Sequence, residues 1–432
     1  MKIENGRGRS GVATVSEDGA LSVRAQFDLS NTSAFGTLET AELTPVVQGD
    51  FTTGINVQLG AVTVANSATA DAGGAGIAPF GRLRLQSGTN AAGSAIFKSR
   101  APARYRAGEG MVARFTAAFT VGVAQSTQIA GAGNASNGYF FGFNGTAFGI
   151  LHRNNATGAV VNTWIPQTDW NCDKLDGLGA SGMVINPTFG NVFMVKYPYL
   201  GYGDILFFVE DSDTGRFVLV HVIKYANTTA LLQLGNPNLS FYVQSVNAGA
   251  VTNQIVYSGS YAIFVSGERS FVGNPKWAAD NNKSAITAET SILGIRNATT
   301  YNGGENNGMI RLQSLAVGAA SNSGVIVIRL RIGATLGGSP SYAAIKGTTA
   351  NSGVTITAGD SVASVDTAAT TATGGNMIYN ITLANGANGG DSTVIDLTPF
   401  NLFVAPGEVL TVSGFSTVAA VIAVALNWAE DI

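Results

Sequence analysis

Two histidines, His152 and His221, are the side chains in this chain best suited to proton transfer or metal binding. Each lies in an apolar run that reads as a strand, where a histidine is more often structural than catalytic. Asp169, Asp173 and Asp176 surround Trp170 in a Gly-rich stretch. Paired carboxylates in a groove are what glycoside hydrolysis requires, but acids in such a stretch read more simply as turn residues. Asp211-Ser-Asp-Thr-Gly215 opens like a calcium loop, with alternate carboxylates toward one cation. The closing bidentate Glu is missing, because Phe217 to Val222 holds no acid. One cysteine, Cys172, leaves no intramolecular disulfide and no cysteine metal cluster. Phosphate-loop, dinucleotide, nucleophile-elbow and zincin patterns do not occur in a usable context. The sequence therefore assigns no catalytic residue, no metal ligand and no cofactor.

Binding groups are the remaining chemistry. Trp170, Tyr199 and Tyr202 sit on turns, and exposed aromatics there would form a platform for a glycan. The alternative is that they fill the core or a subunit contact. Lys98, Arg100, Arg104, Arg106 and Arg114 make the one basic cluster. Only Tyr105 interleaves with them, and the formal net charge is −3. The cluster thus reads as strand-edge charge, or as ion-pair partners across a subunit contact, rather than as a nucleic-acid footprint.

Strands must position these groups. The 432 residues are enough for two or three domains, each burying its own core. Charged residues make up 12%, about half the usual ~25%. Glycine is high at 55 residues, and Val, Thr, Ala and Asn are abundant, which favours strands joined by tight turns. The expected fold is all-β: two or more β-sandwich, jelly-roll-like domains with a short N-terminal β-hairpin arm. So little charge implies that part of the surface is covered in an assembly. The longest apolar run, Val418 to Leu426, has nine residues, against about 20 for a membrane-spanning helix. It reads as a buried strand, and no membrane insertion is expected. The opening residues lack the apolar core of a secretory signal, so a cytoplasmic site of synthesis is expected.

In order along the chain, residues 1–30 form an arm. Val12–Val15 and Leu21–Ala25 flank the turn pair Asp18-Gly19. Ile3, Val12, Val15, Leu21 and Val23 are its anchoring side chains. Residues 31–272 form a large sandwich, as one domain or two, with clean alternation at Ile55–Leu59 and Arg82–Gln86. Its centre is the aromatic hairpin Asn134–Asn154, where Asn144-Gly145 joins Tyr139, Phe140, Phe141 and Phe143 to Phe148, Ile150 and Leu151. Residues 273–290 begin with the polar, turn-rich Gly273–Lys283 and read as a linker. Residues 291–432 give a second sandwich of short strands.

Several long stretches resemble a known group. Met1-Lys-Ile-Glu-Asn-Gly6 with Leu21-Ser-Val-Arg-Ala25 is similar to the start of certain tailed-phage virion proteins. Arg104–Gly110, Asn137-Gly-Tyr-Phe-Phe-Gly-Phe-Asn-Gly-Thr146, Phe148–His152, Asn186–Val192, Leu200–Ile205, His221–Tyr225 and Leu426–Glu430 resemble β-rich structural proteins of phages and large aquatic viruses. The resemblance implies a non-enzymatic virion protein of head-decoration or tail-fibre type, assembled in the host cytoplasm. It implies a symmetric oligomer, in particular a homotrimer, in contact with other virion proteins. The alternative is a receptor-binding fibre or spike whose partner is a host-surface glycan.

Overall fold

The computed structural model describes residues 43–72, 81–266, 274–301, 304–320, 324–345, 361–384 and 391–431, with short strands at Lys2–Glu4, Ser10–Val12, Thr14–Val15 and Leu21–Ser22 before them. Among these residues every element is a strand except two 3-10 turns, Gln167–Asp169 and Thr398–Phe400. The fold is all-β.

The arm forms two ribbons rather than one. Lys2–Glu4 pairs with Ser10–Val12, and Thr14–Val15 pairs with Leu21–Ser22. Ile3, Val12, Val15 and Leu21 lie on these strands, whereas Val23 and the pair Asp18-Gly19 fall outside the described residues.

Residues 43–266 build two antiparallel sheets around one core. The first sheet runs Phe217–Ile223, Ile205–Glu210, Asn191–Tyr197, Met111–Phe119, Ile255–Ser258, Leu83–Gln86 and Thr69–Asp71. Ser260–Ser266 also pairs with Met111–Phe119, and Leu43–Asp50 pairs beyond it. The second sheet runs Val161–Pro166, Ala147–Asn154, Gly138–Asn144, Ser126–Gly133, Ser240–Asn247, Ser94–Ser99 and Gly60–Ala65. Strand periodicity sends alternate side chains inward. Tyr139, Phe141 and Phe143 enter the core, while Phe140 packs on the outer face with Ile129, Leu151 and Tyr242. Across the sheets Phe141 meets Phe193 with centroids 4.5 Å apart, and Phe241 stacks on Tyr261 at 4.2 Å. Each such ring contributes about 1.5–3 kcal/mol by leaving water.

Two local expectations shift. In the aromatic hairpin Asn144 pairs with Ala147, so the turn residues are Gly145 and Thr146. Gly145 has φ +59°, and Gly at the first central position is what a mirror-image hairpin turn favours. Ile55–Leu59 is a turn instead of a strand. The Asn56 carbonyl accepts from the Leu59 and Gly60 amides, and its side chain accepts from the Gln58 amide at 2.8 Å. An Asx turn competes with the ladder and prevails there.

Residues 276–431 make the second sandwich. One sheet runs Lys276–Ile286, Ala420–Asp431, Met309–Ala319 and Asp391–Asp396, with Phe403–Val404 attached. The other runs Tyr342–Ala344, Ala363–Asp366, Thr290–Asn297, Val409–Ser416, Val325–Ile332 and Asn376–Ala384. Leu293, Ile295, Leu312, Leu315, Ile328, Leu330, Val412 and Trp428 lie in the core between them. The linker expected over 273–290 is mostly an edge strand, Lys276–Ile286, paired with Ala420–Asp431. Trp277 faces Trp428 across that pair. Its polar residues face solvent along an edge, which is why they resemble a connection.

Candidate functional site

Both histidines are engaged in hydrogen bonds within the fold. His152 Nε2 donates to the Gln233 carbonyl at 2.6 Å, and its ring stacks on Tyr139. His221 Nδ1 accepts from the Asn171 amide at 3.2 Å. Burial pushes both imidazoles below their ordinary value of 6.5. For His152 the bond to Gln233 opposes that shift without cancelling it. A depressed histidine stays neutral in the fold while the unfolded chain takes up the proton, so stability is full above about pH 6.5 and declines below it. The expected slope is up to ~1.4 kcal/mol per pH unit per histidine. Melting temperature followed from pH 7 to 5 should fall, and the fall should flatten in the double variant His152→Gln, His221→Gln.

The three aspartates take part in local turn bonds, Asp169 with the Thr168 hydroxyl at 3.3 Å. Asp173 is buried and accepts from the Leu175 and Ser181 amides, and Asp176 accepts from the Leu178 amide. Asp211 closes its turn through the Asp213 amide and the Thr214 hydroxyl. No group of metal-ligating side chains occurs among the described residues.

The structure separates the three aromatic candidates. Trp170 is only 2% exposed and packs against Phe141 and Phe148, so it belongs to the core and offers no ring to a ligand. Tyr199 is half-buried against Tyr105, with its hydroxyl on the Leu234 carbonyl. Tyr202 is exposed, with its hydroxyl on the Ala230 carbonyl. Gln233 fixes this region from inside. Its fully buried amide donates to the Tyr199 and Gly203 carbonyls and accepts from the Tyr139 hydroxyl. Nothing in the sequence around Gln233 marks it as such a hub.

The basic cluster has a clear destination: four of its five members join the two sandwiches of one chain. Arg100 grips Glu408 with two nitrogens, each at 2.5 Å. Arg104 lies 2.5 Å and Arg106 3.8 Å from the fully buried Asp431 carboxylate, which Arg311 of the second sandwich also reaches at 3.2 Å. Arg104 and Arg106 both donate to the Asn274 side chain. Lys98 stands 4.0 Å from Glu305, and burial lowers its ammonium below the ordinary value, with Glu305 opposing. Arg114 goes elsewhere, over the rings of Phe217 and Phe264. A bidentate guanidinium is the side chain suited to pairing carboxylates at a partly dry contact.

Beside this clamp lies a cleft of about 820 Å³ between the sandwiches. The first sandwich contributes Ser136, Asn155, Leu232, Asn236 and Asn238, all on connections between strands. The second contributes Tyr301 and Gly304–Gly308, from the ribbon Thr300–Tyr301 with Gly304–Glu305 and the chain after it. Among the described residues Glu305 is the sole charged one in the lining. Asn306 is fixed by bonds to Asn297, the Ala298 carbonyl and the Gly308 amide. Asn307 differs: it is 4% exposed, and its amide nitrogen meets no acceptor. Glu305 Oε2 is also buried without a donor. Local sequence marks neither residue, because the cleft exists only where two domains meet.

No protein-family model and no curated protein matches the chain. Solved structures similar to it include cellulose induced protein Cip1, at 12% identity and TM-score 0.31 over 52% of this chain and 100% of that one. Peanut lectin with a 9mer peptide matches at 11% and 0.31, over 53% of this chain and 100% of the lectin. Arcelin-5, a lectin-like defence protein from Phaseolus vulgaris, matches at 12% and 0.32, over 51% and 99%. Likenesses this distant carry no information about what the chain binds.

Proposed function

We propose that this chain is a non-enzymatic structural component of a tailed-phage particle, a capsid-decoration or tail protein, that assembles as a symmetric oligomer, most simply a homotrimer. The observation that carries the assembly is the outer face of the sheet built on Ala420–Asp431. Ladder register brings Ser314, Ala316 and Gly318 beside Asn427, Ala425 and Ala423 on that face, with Val394 across from Ala316. These central strands show no charge from Ser314 to Gly318 or from Val421 to Asn427. Val394 is 74% exposed and Val421 41%. Asp280 and Asp396 flank this face beside Ala425 and Ser314, and its central strip of small and β-branched residues suits close sheet packing between copies. The resemblance of long stretches to phage virion proteins supports the same reading. So does the engagement of both histidines and the loop aspartates in structural bonds.

Light scattering on the full chain, whose protomer is 44.3 kDa, and on a form lacking residues 1–30 should in each case give a stable multiple of that form's own protomer mass. The double variant Val394→Asp, Ala425→Asp should be monomeric with an unchanged melting temperature. A monomeric parent would sink the proposal. A second reading, a fibre or spike that grips a host-surface glycan, is favoured by the exposed Tyr202 and the amide-lined cleft.

A further inference from the structure

We infer that two free sheet edges of the second sandwich pair between copies, residues 276–280 of one copy adding antiparallel to residues 392–396 of the next, so that the sheet continues around a closed ring; this rests on the assembly proposed above and gives it a geometry. The four strands on the path of this sheet are Lys276–Ile286, Ala420–Asp431, Met309–Ala319 and Asp391–Asp396, each antiparallel to the next. The two outer strands therefore run in opposite directions, and among the described residues neither has a neighbour on its far side. Rotation about an axis along the strands preserves their direction. The next copy thus brings its Lys276–Ile286 up to Asp391–Asp396 already antiparallel. A free edge presents backbone donors and acceptors ready for such an addition, and head-to-tail contacts of this kind form a ring when the rotation closes.

Only part of the long edge is open. Its ladder shifts register between Lys283 and Ile286, where Ala285 takes φ +55°. Lys283 turns inward, and its Nζ donates to the Thr367 carbonyl at 2.8 Å. A bulge and an inward-turned charge are devices that keep an edge from pairing. Residues 276–280 lack both, since their inward side chains, Trp277 and Ala279, pack on the core. One register matches this stretch to the other edge. With Lys276 opposite Asp396, Trp277 meets Ile395 and Ala278 meets Val394. Trp277 and Ile395 both pack against the core, while Lys276, Ala278, Val394 and Asp396 are all exposed. Opposite charges and apolar side chains then fall on matching faces, and a slip of one residue would mismatch every pair. The same register gives a neighbour to Val394, which is 74% exposed. With the other sheet of each sandwich outside the ring, the uncharged strip through Ala316 and Ala425 faces its axis.

The test is disulfide capture in the full chain carrying Ala278→Cys and Val394→Cys, with Cys172→Ser removing the one native thiol. Within one chain the two positions lie on opposite edges of the four strands, roughly 14 Å apart at ~4.8 Å per strand. That is beyond the ~7 Å limit between Cα atoms for a disulfide. Between copies they are directly opposed. Oxidation should give, on a non-reducing gel, a limiting covalent band at the oligomer mass found by light scattering, and neither single-cysteine variant should cross-link. Melting curves verify folding. An oligomer in which the double variant forms no disulfide would overturn the edge pairing and leave the assembly standing. Cross-linking by Ala278→Cys alone would mean that this strand pairs with its own copy about a two-fold axis, and a covalent ladder running past the oligomer mass would mean an open chain; either overturns the ring. A monomeric parent would overturn both the ring and the assembly.

Discussion

Asp431→Ala is expected to cost about 3 kcal/mol and to uncouple the two halves of the molecule. The carboxylate is fully buried, with Arg104 at 2.5 Å, Arg311 at 3.2 Å and Arg106 at 3.8 Å. Its removal leaves three guanidinium groups facing one another at a partly dry junction. Breaking a buried pair from one side typically costs ~3–5 kcal/mol, because the remaining charge has lost water and partner together. The lower end applies here, since the arginines keep 14–17% of their side-chain surface in water. Scanning calorimetry should show one dominant transition in the parent and two resolved transitions in the variant. Arg104→Met should cost less, because Asp431 then retains Arg311 and Arg106. A variant that melts in a single step at the parental temperature would show that the clamp contributes nothing to coupling.

Phe148→Ala should destabilise the first sandwich by about 3–5 kcal/mol, and Phe143→Ala by a similar amount. The two rings face each other across the hairpin at 5.2 Å. Phe148 also contacts Phe119 at 5.9 Å and Trp170 at 6.1 Å, and each ring of the pair is only 7% exposed. Truncation leaves a cavity lined by rigid rings that cannot collapse into it, which places the cost toward the upper range. Denaturant midpoints at an unchanged slope measure it. If both variants unfolded like the parent and lost only assembly, the hairpin would be a subunit contact instead of core.

These effects were unequally legible in the sequence. The aromatic hairpin could be read because period-two alternation and Asn144-Gly145 both act over a few residues. Even so, the turn moved by one position once cross-strand pairing fixed the register. Ile55–Leu59 alternates equally well, yet Asn56 diverts the backbone into a turn. Lys276–Ile286 was obscured by its polar face, because an edge strand needs only one apolar side and Trp277 and Ala279 supply little of it. Trp170 shows that a place beside a turn does not imply exposure, since the 3-10 turn before it delivers the ring into the core. The basic cluster was recognisable as charge, but its partners were not. Glu408 and Asp431 lie more than 300 positions along the chain from Arg100 and Arg104, and no local pattern links residues so far apart.

The pairing of Leu43–Asp50 with Ser260–Ser266 also constrains the order in which the molecule comes together. The first sandwich joins one of its earliest strands to its latest, and the second does the same with Lys276–Ile286 and Ala420–Asp431. Local ladders such as Ser126–Gly133, Gly138–Asn144 and Ala147–Asn154 can form early, because only short turns separate them. The distant pairings must wait, since the entropy of closing a long loop is lost before any contact compensates it. Until residue 266 is available, Met111–Phe119 lacks a neighbour along half its length and exposes an apolar edge. A chain overproduced faster than it closes is therefore expected to stick edge to edge, and slower synthesis at lower temperature should raise the soluble yield.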